Sequence, residues 1–260
     1  MMVRRRFSVL LFLAGALSLL APLAVSADVT FADPRFKAIY YVGEAITTNF
    51  WGTHASEAKY ERYDNNPGAK RLVQYFDKGR MEVTKGEVTF GLLATDMVTG
   101  CVQISDSKCV DRSPAKTPVA GDPGGLGPTY ADIYDYRSTI LAAKGKRIGQ
   151  PINLFFDTDH TLYTDRAPDA SLPKLTDYDD VTGHNVLRQF TNYRDEVGFT
   201  TIGYARSEPA AAFFTVGGVK RVIAFQVFER RVLTFTPDNP TAFQVEMGNI
   251  GQHYFNWLGY

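Results

Sequence analysis

The chain has 260 residues, with 28 Lys and Arg against 28 Asp and Glu, so its formal net charge is zero. A near-neutral chain has no global field with which to gather nucleic acid or anionic lipid, which argues against both as partners. With 45% hydrophobic and 13% aromatic residues it can fill a sizeable core, and its two cysteines supply only half a zinc shell.

The first stretch, MMVRRRFSVLLFLAGALSLLAPLAVSA, sets three arginines before an apolar run from Phe7 to about Leu20 and ends in the small residues Val25, Ser26 and Ala27. This is the layout of an export signal over residues 1–27 with cleavage before Asp28. The apolar run is shorter than the roughly 20 residues a spanning helix needs. Arg-Arg-x-Phe also fits the twin-arginine pattern, so both export routes stay open. Cleavage leaves 25 basic against 28 acidic residues and predicts a secreted protein, extracellular or on the cell surface, without a stable membrane span.

Residues 28–112 read as a first β-rich unit. RFKAIYY places Phe36, Ile39 and Tyr40 on one helical face. Gly52, followed by x-x-x-Ser56-Glu57, marks a turn. KRLVQYF has apolar residues on both faces, the pattern of a strand covered on both sides; Asp77-Lys78-Gly79 then bends into RMEV as a hairpin. Cys101 and Cys109, in CVQISDSKC, predict a disulfide closed over a turn at Ser-Asp-Ser, because two thiols so close in sequence pair readily outside the cytosol.

Residues 113–170 form a connection. SPAKTPVAGDPGGLGPTY predicts an irregular path, YADIYDYRSTILAAKGKRI a helix, and PINLFFDTDHTLYT a hairpin turning at Asp157–His160. Residues 171–260 read as a second unit. Asp177, Asp179 and Asp180 predict the opening of a helix, and HNVLRQFTNY sets Val186, Leu187, Phe190 and Tyr193 on one helical face. KRVIAFQVF and VLTF are paired strands around Glu229, Arg230 and Arg231, three charges expected in a solvated bend. GQHYFNW closes the unit as a helix.

The two units share three anchors in the same order. GTHASEA meets GYARSEP, QYFDKGRM meets QVFERRVL, and VTFGLL meets VEMGNI, at offsets of 151, 152 and 157 residues. Near-constant offsets signal an internal repeat, each copy running helix, turn, paired strands, short helix. Gln74 and Gln226 stand at the same place in the two copies, inside apolar strands. A buried amide there must find its partners in the backbone of a neighbouring loop. Neither copy has a comfortable core alone, so the two are expected to pack together.

Chemistry leaves little local trace. His54, His160, His184 and His253 show no i, i+4 metal pair, and Asp157–His160 lacks the Gly and bidentate Glu of a calcium loop. There is no G-x-S-x-G, no H-E-x-x-H and no phosphate cradle, so neither a metal nor a cofactor is expected and no catalytic residue is assigned.

The runs YDDVTGHNVLRQF, IGYARSEP and VGGVKRVIAFQVFERRVLTFTPDNPTAFQVEMGNIGQHYFNW resemble an uncharacterised secreted module of Chloroflexota bacteria. That module carries TGHN, G-x-P-x-[ST]-E, FERR-x-LT[YF]TP-x-NP and VEMGN-x-GQHY. FADPRF and RLVQYFDKGRMEV resemble the module that precedes it. Ala205 departs from the usual Pro. More distantly, Gly52-x-x-x-Ser56-Glu57 and the following Gln74-x-Phe76 are similar to LGFP-type envelope repeats, which implies a tether to the cell wall.

The expected fold is α+β, two related β-rich units with an inserted middle segment. The expected function is a non-enzymatic exported module that binds an envelope polymer, such as cell-wall glycan, or another surface protein. An extracellular hydrolase of polymer, with acid and base drawn from distant Asp, Glu or His, is one alternative, and a structural subunit of a surface layer or filament is another. Trp51 and Trp257 are candidate platforms for a sugar face, with the core as the competing place for both. Nothing in the sequence sets an oligomeric state.

Overall fold

The computed structural model describes residues 29–166 and 171–260; the export signal expected over 1–27 lies outside them. The fold is α+β. Helix α1 (Pro34–Ile46) starts where the Asp33 carboxylate accepts the Arg35 N–H at 2.8 Å and Pro34 supplies a preset φ. Strands β1 (Lys59–Arg62), β2 (Lys70–Phe76), β3 (Gly79–Thr84) and β4 (Glu87–Phe90) follow as an antiparallel meander. Helix α2 (Leu93–Thr99) leads into the hairpin of β5 (Cys101–Gln103) and β6 (Cys109–Asp111), which the Cys101–Cys109 disulfide closes with a Cα–Cα distance of 5.4 Å.

An irregular path then reaches α3 (Tyr130–Asp135) and α4 (Arg137–Ile140), followed by the hairpin of β7 (Phe155–Phe156) and β8 (Leu162–Tyr163) around Asp157–His160. The hairpin of β9 (Asp177–Asp179) and β10 (His184–Val186) precedes helices α5 (Arg188–Val197) and α6 (Phe199–Ile202). The last part is β11 (Ala210–Val216), β12 (Val219–Val227), β13 (Val232–Phe235), β14 (Val245–Met247) and helix α7 (Ile250–Leu258). The second sheet runs β14-β13-β12-β11-β7-β8, with only β11 and β7 parallel. The middle segment therefore extends this sheet. Among the described residues, no helix is long and apolar enough to cross a membrane.

Two expectations shift here. The Asp177–Asp180 bend opens a hairpin and not a helix, because the Asp179 carboxylate accepts the Val181 and Thr182 N–H groups and Gly183 turns the chain at φ +76°. The helix predicted in HNVLRQFTNY consequently begins only at Arg188, with Val186 left in a strand.

The strands are covered on both faces, and the period of two sorts their residues. From β2, Val73 and Tyr75 enter one core while Leu72 and Phe76 enter the other. From β12, Ile223, Phe225 and Val227 go one way and Val222 and Ala224 the other; β11 splits Ala210, Ala212 and Phe214 from Ala211 and Phe213. Each core draws on both sheets, so the two halves share their buried surface, at about 1.5–3 kcal/mol for each large apolar side chain fully buried.

Matched bonds mark corresponding places in the halves. Gln74 Nε2 donates to the Thr30 and Ser56 carbonyls, and Gln226 Nε2 to the Asn185 and Ser207 carbonyls. Ser56 Oγ accepts the Tyr75 N–H as Ser207 Oγ accepts the Val227 N–H. Gly52 and Gly203 both hold positive φ, and Gln74 faces Met81 as Gln226 faces Leu233. The short helices cross over. The Asp77 carbonyl after β2 accepts the Gly251 and Gln252 N–H groups of α7, and the Glu229 carbonyl after β12 accepts the Thr95 N–H of α2. Each bend thus caps the helix that belongs to the other half.

The bend at Glu229–Arg231 corrects the solvated reading. Glu229 and Arg230 are half-buried, and Arg231 is fully buried, its guanidinium 5.3 Å from the Trp51 ring centroid. Gly79 makes the room, since a Cβ there would stand 2.4 Å from Arg231 Nη2. Trp51 is itself only 1% exposed. It is a core residue and presents no face to a ligand.

Candidate functional site

Two clefts lie where one half meets the helix of the other. The first, about 410 Å³, is bounded by the turn at His54–Ser56, the end of β2 and the first two turns of α7. Asp77 builds it. One carboxylate oxygen accepts the Thr53 and His54 N–H groups at 2.8 and 3.0 Å, and the other accepts Gln252 Nε2 at 2.6 Å. Gly251 lets α7 come this close, because a Cβ would fall 1.9 Å from the Phe76 carbonyl oxygen.

The walls combine polar groups with one aromatic face. The His54 side chain is 77% exposed, with Nδ1 3.2 Å from the Asp77 carboxylate. Gln252 and Asn256 are exposed on α7, and the half-buried Phe255 ring packs edge-on to Tyr75 with centroids 5.4 Å apart. A second hollow, about 500 Å³ and lined by Thr30, Phe31, Glu57 and Gln74, shares His54, Ala55 and Ser56 as its wall.

A buried ionic network underlies the first cleft. Arg80 donates to Glu61 at 3.0 Å and to Glu82 at 2.5 Å, Arg71 to Glu82 at 3.2 Å, and the Tyr75 hydroxyl to Glu61. Burial alone would raise the Glu82 carboxyl, but Arg80 and Arg71 outweigh it and hold the group below its usual value. Asp96 accepts from the Tyr254 hydroxyl at 2.7 Å yet has no cation in direct contact among the described residues, and burial pushes its carboxyl up to about 6.

The second cleft, about 350 Å³, is lined by Thr95, Val98 and Thr99 of α2 and by Leu141, Val181, Thr182, His184, Arg206 and Val227. It brings together three segments far apart in sequence: Thr-Gly-His-Asn at 182–185, Arg-Ser-Glu at 206–208, and the end of β12. Glu208 ties the first two of these segments together. It accepts the Asn185 N–H at 3.0 Å and Asn185 Nδ2 at 2.9 Å, and lies 3.3 Å from His184 Nδ1.

The two clefts occupy matched positions. At offsets of 151, 152 and 157 residues, Ala55 stands against Arg206, Tyr75 against Val227, and Thr95, Val98 and Thr99 against Gln252, Phe255 and Asn256. The sequence reading found the anchors but not the clefts. Its signal was there in Asp77 and Glu229, whose carbonyls dock the helices, and in Gly251.

The remaining candidates fall elsewhere. Trp257 is half-buried against Tyr254, donates Nε1 to the Ser113 carbonyl at 3.0 Å and carries Arg112 over its ring, so neither tryptophan is an open platform. The histidines do not converge: His54 meets Asp77, His160 meets Asp132, His184 meets Glu208 and His253 meets the Tyr130 hydroxyl. Among the described residues, the one cluster of three metal-type side chains is Cys101, Cys109 and Asp111, whose sulfurs are joined to each other. No family model, no curated protein and no solved structure matches this chain, so the clefts are read from their own chemistry.

Proposed function

We propose that the protein is an exported, non-catalytic module of the extracellular space or cell surface, and that its first cleft binds an envelope polymer such as cell-wall glycan. The observation that carries this reading is the pairing of the Phe255 ring with the amides of Gln252 and Asn256 and the imidazole of His54 around one opening. An apolar ring face suits the C–H face of a sugar, while amide and imidazole groups on the rim bond its hydroxyls. The signal at 1–27 and the disulfide support export. The matched bonds of Gln74 and Gln226 support an internal duplication as the origin of the two halves.

Hydrolysis is the second reading, favoured by the contact of His54 Nδ1 with Asp77. Two facts weigh against it. Asp77 is spent on two backbone N–H groups and Gln252, and the hydroxyl beside His54, Thr53 Oγ1, sits 3.1 Å from the same Nδ1 and not from the open nitrogen. The test uses residues 28–260, which contain every described residue, incubated with isolated cell-wall material and soluble polysaccharides. Retention without released sugar, lost in the double variant His54→Ala/Asn256→Ala, is the expected result. Soluble products from the polymer, abolished by His54→Ala alone, would put the hydrolase reading first.

A further inference from the structure

The second cleft stands where the first does, yet its chemistry has changed. Where the first has the small Ala55, the second has the guanidinium of Arg206; where the first has Phe255, the second has Val98. The aromatic wall is gone and a cation has arrived.

That cation is unengaged. Among the described residues the Arg206 side chain makes no hydrogen bond or ion pair, although its backbone N–H is fixed to the Val227 carbonyl at 2.8 Å. Three other exposed arginines, Arg62, Arg166 and Arg188, each find a carboxylate, at Asp64, Asp157 and Asp177.

Other donors converge on the same space. Thr182 Oγ1 is buried and without a partner among the described residues, a cost that a ligand oxygen would relieve. His184 is 3% exposed, and Glu208 beside Nδ1 orients the ring so that Nε2, without a bond among the described residues, is left for the cleft. Thr95 and Thr99 spend their hydroxyl protons on the Glu229 and Thr95 carbonyls and keep lone pairs for a ligand's hydroxyl groups. The set is one free guanidinium, one orphan hydroxyl, one held imidazole and two acceptors, in a volume suited to one sugar-sized unit.

We infer that the second cleft is a distinct ligand site that takes a carboxylate-bearing sugar, a uronic acid or its equivalent, with the carboxylate on Arg206 and the ring hydroxyls on Thr182, Thr95 and Thr99. The guanidinium fork matches a carboxylate, and the threonine hydroxyls match the polar edge of a pyranose. The site rests on its own residues and not on ligand binding at the first cleft.

The test is calorimetric titration of residues 28–260 carrying His54→Ala/Asn256→Ala, which silences the first cleft, with D-glucuronate and, in parallel, D-glucose. Glucuronate binds and glucose binds at least tenfold more weakly. Arg206→Gln weakens glucuronate by about tenfold or more, the loss of one charge-assisted pair. Thr182→Val weakens it by several-fold. Circular dichroism confirms that Arg206→Gln, at an exposed position, stays folded. Equal affinity for the two sugars, no binding of glucuronate, or full affinity in Arg206→Gln would overturn the assignment.

Discussion

Gln74 and Gln226 solve the same problem in the same way. Each buries a side-chain amide in an apolar strand and uses both N–H bonds of Nε2 to hold two backbone carbonyls, one from the serine turn and one from the segment before its helix. They differ at the oxygen. Gln74 Oε1 accepts the Ala32 N–H at 3.0 Å, whereas Gln226 Oε1 is buried without a partner among the described residues.

Gln226→Met tests this arrangement. The volume is kept, but the Asn185 and Ser207 carbonyls lose their donors in a closed interior, a cost of about 2–4 kcal/mol for two buried acceptors. The orphan oxygen of Gln226 disappears with the amide, so the loss falls toward the lower end. Urea titration of the variant reads it directly. Ser207→Ala, which leaves only the Val227 N–H unmatched, costs about 1–2 kcal/mol. A Gln226→Met variant as stable as the parent would mean that these carbonyls reach water.

The position of Arg231 makes a second prediction. Burial pushes its guanidinium down to about 9; among the described residues it has no carboxylate in contact, its one hydrogen bond goes to the Arg230 carbonyl, and Nε and Nη2 are unpartnered. Arg231→Met removes the isolated charge while filling much of its space, so stability holds or rises by about 1–4 kcal/mol. Gly79→Ala alone should destabilise, since its Cβ meets Nη2 at 2.4 Å. In the double variant the flexible methionine yields to the new methyl group. The cycle should therefore be non-additive, with the pair more stable than the sum of the single changes.

Much of the architecture was legible because it is written locally. The apolar faces of KRLVQYF and KRVIAFQVF announced strands covered on both sides, and the short spacing of Cys101 and Cys109 announced a disulfide. What the sequence hid is what depends on crossing between halves. Arg231 looks like a surface charge until Gly79 and Trp51, 152 and 180 residues earlier in the chain, are brought beside it. Asp77 reads as a hairpin residue, and only the docking of α7 makes it the organiser of a cleft. The place of the tryptophans stayed open for a related reason: side-chain type states a preference for sugar faces, but exposure is decided by packing.

Two buried groups predict an unusual response to pH. Asp96 is raised from 3.8 to about 6 by burial, so the folded state binds its proton more tightly than the unfolded state does. The stability it contributes is full below 3.8 and is lost as pH rises through 6, a change of about 3 kcal/mol. His253, beside the Tyr130 hydroxyl, is lowered by burial from 6.5 to about 4. Its contribution is full above 6.5 and is lost as pH falls through 4, again about 3 kcal/mol. Across this window the two slopes oppose each other, so the parent protein hides both. Asp96→Asn keeps an acceptor for the Tyr254 hydroxyl and removes one slope, leaving a protein whose melting temperature, relative to the parent, climbs from pH 4 to 6.5. His253→Gln removes the other and leaves one whose relative melting temperature falls over the same range. Thermal melts of the three proteins at half-unit steps measure this. Parallel curves would mean that water reaches both side chains in the folded state.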